Sequence, residues 1–303
     1  MLQEIELKKS HPLNKGFSIL ELAVAVAVVG LIMVMVSGGM KFMESAKLKG
    51  VYAEITKIKA AKNEFISRYE FWPGDFPYAD KIWGAKCDAT ATNCNGDGNG
   101  LVWKINGSTT NAAGFSEPLL FWRHLSLEGL IEGDYIGKTV GTVSGQACSN
   151  HWSCCVNDPS SLGCPPSEYN NGLWVNFSYP AGTEGICDTD GGTSYMPDNI
   201  HIFRLAKFYA AGAPKTGIMK PYHNYILDAK YDDGSPTTGV IQARSGTDTL
   251  VSGKGPCMLN ASDQTIANGA AYGLANIRYN ETESDEVCTP YFLSTKNLTC
   301  PLP

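Results

Sequence analysis

Apolar and polar positions divide the chain into stretches with different periods. In residues 17–36, "FSILELAVAVAVVGLIMVMV", only Ser18, Glu21 and Gly30 are not plainly apolar. Such a run, helical at about 1.5 Å per residue, is about 30 Å long, the thickness of a bilayer's hydrocarbon core. Further on the period changes. Leu48, Val51, Ile55, Ile58, Ala61, Phe65 and Tyr69 recur at steps of three and four, while Glu54, Lys57, Lys62, Glu64 and Arg68 fill the other positions. This predicts a helix with one stripe to bury, and Glu64 to Arg68 is an i,i+4 ion pair in the favourable order. Pro73-Gly74 stops it. Ser116 as N-cap, Pro118 in the first turn and Gly129 as stop bound a second helix, in which Leu119, Trp122, Leu125 and Leu130 face a core. From about residue 139 the chain is rich in Gly, Ser, Asn and Pro, and the short apolar runs "GLWVNFSY", "NIHIFRLAKFYAAG" and "GVIQAR" predict strands.

Composition changes this picture in two places. The 303 residues, 43% hydrophobic with a net charge of −6, describe an ordinary globular chain plus one apolar segment, and the charge argues against a general nucleic-acid binder. All ten cysteines lie C-terminal to the apolar segment, which points to an oxidising compartment on that side. Lys8, Lys9 and Lys15 precede the segment, but Lys41, Lys47 and Lys49 follow it, so the cysteines and not the lysines set the orientation.

Three readings of the apolar segment compete. A cleaved secretory signal would use Ser37-Gly38-Gly39, but the apolar core is too long and carries a charge. A plain signal anchor fits the length and leaves Glu21 unexplained, since an ionised carboxylate in a membrane helix costs roughly 2.5 to 3.5 kcal/mol at its centre. The third reading takes in the residues just before. Lys15-Gly16 followed by "FSILEL" resembles the processing site of type IV prepilins and type II secretion pseudopilins.

That resemblance implies cleavage by a prepilin peptidase between Gly16 and Phe17, methylation of the new N-terminal Phe17, and an assembly role for Glu21, whose carboxylate meets the N-terminal amine of a neighbouring subunit. Ser18 stands where threonine is common in the family, and Gly38 stands where many major pilins have a proline; with Gly39 it leaves a flexible or locally melted point at the membrane exit. The implied architecture is α+β and type IV pilin-like. A leader at 1–16 is followed by one long helix at 17–72, its transmembrane half at 17–36, and by an elaborated head at 73–303 built on an antiparallel sheet with disulfide-bonded loops. "WPGDFPYADKIWG", "NGDGNG", "LLFWRHLSLEGLIEGDYIG" and "ILDAKYDDGSPTTGVI" resemble segments of bacterial prepilin-like proteins more weakly. The implied partners are the peptidase, other pilin or pseudopilin subunits, an inner-membrane assembly platform and, before assembly, membrane lipid. The head would lie in the periplasm and then in a periplasmic or cell-surface filament. DNA uptake, adhesion and secretion filaments share this N-terminus.

The resemblance also implies a disulfide between Cys288 and Cys300, closing a C-terminal loop. Cys87 and Cys94 could close a second, and the other six cysteines allow fifteen pairings. "CSNHWSCC", residues 148–155, offers soft ligands at a spacing that fits no zinc pattern, so disulfides are the better reading there. In "NGDGNG", Asn95, Asp97 and Asn99 alternate as in the first half of a calcium loop, but the twelfth position is Asn106, which cannot supply the closing carboxylate. Calcium is the cation such a loop would take, and a metal-free glycine turn is the favoured reading. No Gly-x-Ser-x-Gly elbow and no His-Glu-x-x-His are present, so a filament subunit is expected over an enzyme. The alternative is a signal-anchored periplasmic binding protein or hydrolase.

Overall fold

A computed structural model describes residues 18–103, 114–138, 142–143, 146–147, 163–179, 200–208, 214–245, 257–259 and 277–294. The chain is α+β, with one long N-terminal helix and an antiparallel sheet. It forms two compact units, Met1–Ala46 and Lys47–Pro303.

Helix α1 runs over Ile19–Tyr69. Gly38 and Gly39 lie inside it in helical conformation, so the backbone is not melted there as their low propensity suggested. Two glycines cost about 2 kcal/mol together, and a cooperative helix with long flanks on both sides carries that. The helix ends slightly earlier than residue 72. Glu70 takes a left-handed φ of 63°, the usual geometry one residue past a helix end, and its N–H donates to the Ile66 carbonyl at 2.8 Å. Pro73 disfavours helical backbone at the residue before it, which reinforces the stop.

In the Lys47–Pro303 unit, the 3.6-residue stripe of α1 is core: Leu48, Val51, Ile55, Ile58, Ala61 and Phe65 are all buried. The stripe belongs to one cluster with a five-stranded antiparallel sheet and a second helix. The sheet comprises β1 (Leu173–Tyr179), β2 (Ile200–Phe208), β3 (Pro214–Thr216), β4 (Ile241–Ser245) and, in chain order after a separate two-stranded ribbon of β5 (Met258–Leu259) and β6 (Arg278–Tyr279), β7 (Cys288–Leu293). The strand order is β1-β2-β7-β4, with β3 paired to β2. Helix α2 (Glu117–Leu127) starts after Ser116 with proline in its first turn and buries Leu119, Trp122 and Leu125; Phe121 meets Phe203 of β2 at 5.7 Å. Helix α3 (Pro221–Tyr231) contacts β4, β6 and β7.

Glu54 fastens α1 to this sheet. Its carboxylate accepts from the Trp174 indole at 2.7 Å, the Ser167 hydroxyl at 2.6 Å and the Glu168 N–H at 3.1 Å. Trp174 is buried, so Glu54→Ala strands an indole N–H away from water. The expected loss is about 2 kcal/mol, a fall in Tm of about 4–8 °C for a domain of this size, read by thermal melting of the full chain in detergent. An unchanged Tm would mean that the three bonds carry no net stability.

Candidate functional site

The start of α1 is a capping box. The Ser18 N–H donates to Glu21 Oε2 at 2.9 Å, and the Glu21 N–H donates to Ser18 Oγ at 3.2 Å, so two of the helix's unsatisfied donors are met reciprocally. Glu21 therefore has a local role in the lone chain, which its place in an apolar run did not suggest. Beyond it, the apolar run of α1 is exposed. Ile19, Leu22, Val26, Leu31, Met33, Val36 and Phe42 are all exposed, and the helix is long and apolar enough to cross a membrane. Gly16, Phe17 and the leader lie outside the described residues, as do residues 148–155 and Cys300.

A second constellation gathers in the Lys47–Pro303 unit, where the carboxylates of Asp75, Asp97 and Glu117 bring one oxygen each within 4.8 Å of one another. Asp75 follows the stop of α1, Asp97 lies in the glycine loop, and Glu117 is the first residue of α2. Two glycines permit the approach. Gly74, at φ +90°, lies so close to α2 that a Cβ would meet the Glu117 carbonyl oxygen at 2.3 Å, and a Cβ on Gly96 would meet the Asp75 backbone at 2.3 Å. His124 pins the same turn: Nδ1 accepts from the Gly74 N–H and Nε2 donates to the Cys94 carbonyl, both at 2.9 Å. Burial holds its pKa down at about 4, so the ring is neutral and the Nε2–H tautomer is fixed.

The three carboxylates lock backbone. Asp75 accepts from the N–H groups of Asn99 and Gly100, each at 2.9 Å. Glu117 accepts from those of Asp97 at 3.1 Å and Trp103 at 3.0 Å, and Asp97 accepts from Asn99 at 3.1 Å. Burial pushes Glu117 up to about 9 and Asp75 up to about 7, against the N–H bonds that favour their ions. Of the residues read as a half calcium loop, only Asp97 joins this group. The Asn95 side chain exchanges bonds with Asp80, accepting from its N–H at 2.9 Å and donating to Oδ1 at 3.0 Å. Asn99 Oδ1 accepts from the Leu101 N–H at 2.8 Å. Calcium takes six to eight oxygens, whereas these three carboxylates are turned to backbone donors, and it is burial, against those donors, that favours a proton on Glu117. Asp75 and Glu117 escaped sequence reading because they are distant in the chain; the first-turn acid after Ser116 was their one local signal.

A second acidic group, Asp228, Asp232 and Asp233, is likewise spent on hydrogen bonds within the head. Asp228 accepts from the Tyr279 hydroxyl at 2.7 Å and the Gly234 N–H at 3.0 Å; Asp232 accepts from Ile241 at 2.7 Å, and Asp233 from the Thr238 hydroxyl at 2.6 Å.

Disulfides join Cys87 to Cys94 and Cys257 to Cys288. The first closes the small loop that the spacing allowed. The second corrects the Cys288–Cys300 pairing that the resemblance implied. Sheet register explains it: Cys288 lies opposite Ser245 at the end of β4, and the Ser245 hydroxyl accepts the Cys257 N–H at 3.0 Å, which sets the Cys257 sulfur beside that of Cys288. Cys164 is disulfide-bonded as well, and no described cysteine is free.

Compared with family models, curated proteins and solved structures, the chain matches none.

Proposed function

We propose that the chain is a structural subunit of a filament, a minor pilin or pseudopilin of the type IV pilus-like or type II secretion kind, and not an enzyme. The observation that carries this reading is the division of α1: residues 19–36 are apolar apart from Glu21 and Gly30 and are exposed throughout, while from Leu48 onward the same helix supplies one stripe of a folded unit's core. A helix of this kind suits storage in a membrane and then burial against other helices. In this reading a prepilin peptidase cuts between Gly16 and Phe17, the inner membrane holds residues 17–36 with the head in the periplasm, and an assembly platform moves the subunit into a filament. Pilin-like architecture of the head belongs to the same proposal, supported by the long helix, the antiparallel sheet and the disulfides.

The alternative is a signal-anchored periplasmic protein that never enters a filament. The capping box favours it, because it gives Glu21 a use without any partner. Processing separates the two. Co-expression with a prepilin peptidase is expected to remove sixteen residues and leave a methylated Phe17, read by mass spectrometry of the mature N-terminus. An intact Met1, or a cut near Gly38, would sink the filament reading.

A further inference from the structure

Among the described residues of the Lys47–Pro303 unit, large apolar side chains are exposed at three places: Tyr78 at 55%, Ile82 at 50% and Tyr222 at 48%. The first two form a knob. They stand one turn apart at the ends of the short helix Ala79–Ile82, and the Tyr78 ring is braced edge-on by Phe71 at 6.1 Å and Phe76 at 6.0 Å. An aromatic side chain held this way loses little freedom on docking, which is the property of an interface anchor.

The same unit carries a cavity of about 380 Å³ walled by Ile58, Ile131, Tyr135, Pro165, Pro166 and Trp174. Its volume sits near the bottom of the roughly 300–1,000 Å³ usual for small-molecule sites, and its polar groups are turned to other work. The Glu54 carboxylate is held by three donors and the Tyr135 hydroxyl donates to the Glu132 carbonyl at 3.1 Å. Away from its charged rim the wall is apolar, and a ring and a branched aliphatic side chain would fill it. Charge agrees. The rim holds Glu54 and Glu132 against Lys57, and the knob is flanked by exposed Lys81 and Lys86 against Asp80.

We propose that Tyr78 and Ile82 of one copy seat in this cavity on a second copy, with Lys81 facing Glu132 at the rim. Knob and cavity use different residues, so the contact is heterologous and leaves a free knob and a free cavity at each end, which is how an open assembly propagates. The inference rests on the filament reading for its supply of neighbouring copies.

A photoactivatable phenylalanine analogue replacing Tyr78 in the full chain tests it, because an aromatic residue stands for an aromatic one. A copy carrying the analogue and a differently tagged copy without it are co-expressed with a prepilin peptidase, irradiated in cells, captured through both tags in turn, and the adducts mapped by mass spectrometry. The expected result is an adduct between copies at Ile58, Ile131, Pro165 or Trp174. Ile82→Asp should lower its yield at least about tenfold, since a half-exposed residue can be charged without touching the core but cannot then enter an apolar cavity. Lys81→Glu and Glu132→Lys should each lower it about threefold, and the double variant should restore it. An adduct elsewhere, an adduct to a different protein, no copy-to-copy adduct, or a double variant no better than the singles would overturn the contact. Processing is scored on the same samples. A chain that is cut and enters filaments without this adduct refutes the contact alone, and an uncut chain refutes the filament reading while the adduct is still scored in the membrane.

Discussion

Glu21→Val and Glu21→Gln are both expected to insert in the membrane, to be cut after Gly16, and to be absent from filaments. The two variants differ in what they remove. Glutamine keeps an oxygen that can accept the Ser18 N–H, so the capping box observed at 2.9 and 3.2 Å survives with its charge gone. Valine removes the charge together with the carboxylate's half of the box, the bond from the Ser18 N–H, while its own backbone N–H can still donate to Ser18 Oγ, so the local cost in the first turn is at most about 1 kcal/mol. A cap is worth too little to keep a subunit out of a filament. A carboxylate opposite the amine of a neighbour's Phe17, shielded from water, is attracted far more strongly than at a surface, and a subunit added out of register would leave both charges buried and unpaired. The glutamine variant is therefore the decisive one. Sheared filaments and membrane fractions, blotted for parent and variants, read the result. If Glu21→Gln assembles at parental levels while Glu21→Val does not, Glu21 acts through its cap; if both assemble, it has no assembly role.

The sequence is legible where apolar residues keep a strict period. The stripe from Leu48 to Phe65 was legible because each member is apolar and buried, and α2 was legible from Ser116, Pro118 and Gly129. Helix α3 was not. Its buried face is Pro221, Asn224, Leu227 and Asp228, and two polar residues in four erase the apolar signal although the spacing is helical. Their burial is possible because Asn224 donates to the Tyr279 hydroxyl at 3.3 Å and Tyr279 donates to Asp228, contacts that no local window contains. Strand β7 was hidden by Pro290, which argues against a central strand. The register accommodates it: pairing with β2 covers Tyr291, Phe292 and Leu293, and at Pro290 only β4 is paired. The Cys288 pairing failed for a related reason, since a partner 31 residues upstream is chosen by the sheet and not by spacing. At the start of α1 the sequence identified Glu21 as an anomaly but not its bond to Ser18, although serine three residues before glutamate is a capping signature; the apolar run that follows drew the reading toward the membrane instead.

The stability gap between the parent and Glu117→Gln is expected to change with pH and to reverse sign. Glu117 is pushed up to about 9 by burial, while an unfolded glutamate titrates near 4.3. The folded chain therefore keeps a proton over that interval which the unfolded chain has released. The stability this contributes is fully present below about pH 4 and is lost as pH rises through 9, by about 1.4 kcal/mol per pH unit at most. Other groups tilt the parent's own profile. Asp75 and Asp228, both raised to about 7, act in the same direction up to neutrality; His124 and His201, lowered to about 4, oppose it below pH 6.5; Lys62, lowered to about 8, opposes it above. Comparing the two proteins at each pH cancels the contributions of the groups outside the cluster, leaving Glu117 and the Asp75 it interacts with. Glutamine is uncharged at every pH and turns an amide NH2, which cannot accept, toward one of the two N–H donors, so the variant should be less stable at pH 5 by about 1–2 kcal/mol. From pH 5 to 8 the gap should close and then reverse, with the variant's Tm overtaking the parent's by several degrees. Thermal melts of the full chain in detergent, taken at unit steps of pH, measure it. A gap that stays constant would mean that Glu117 ionises as an ordinary carboxylate. If millimolar calcium flattens the parent's slope while leaving the variant unchanged, the lock holds a cation in place of the proton.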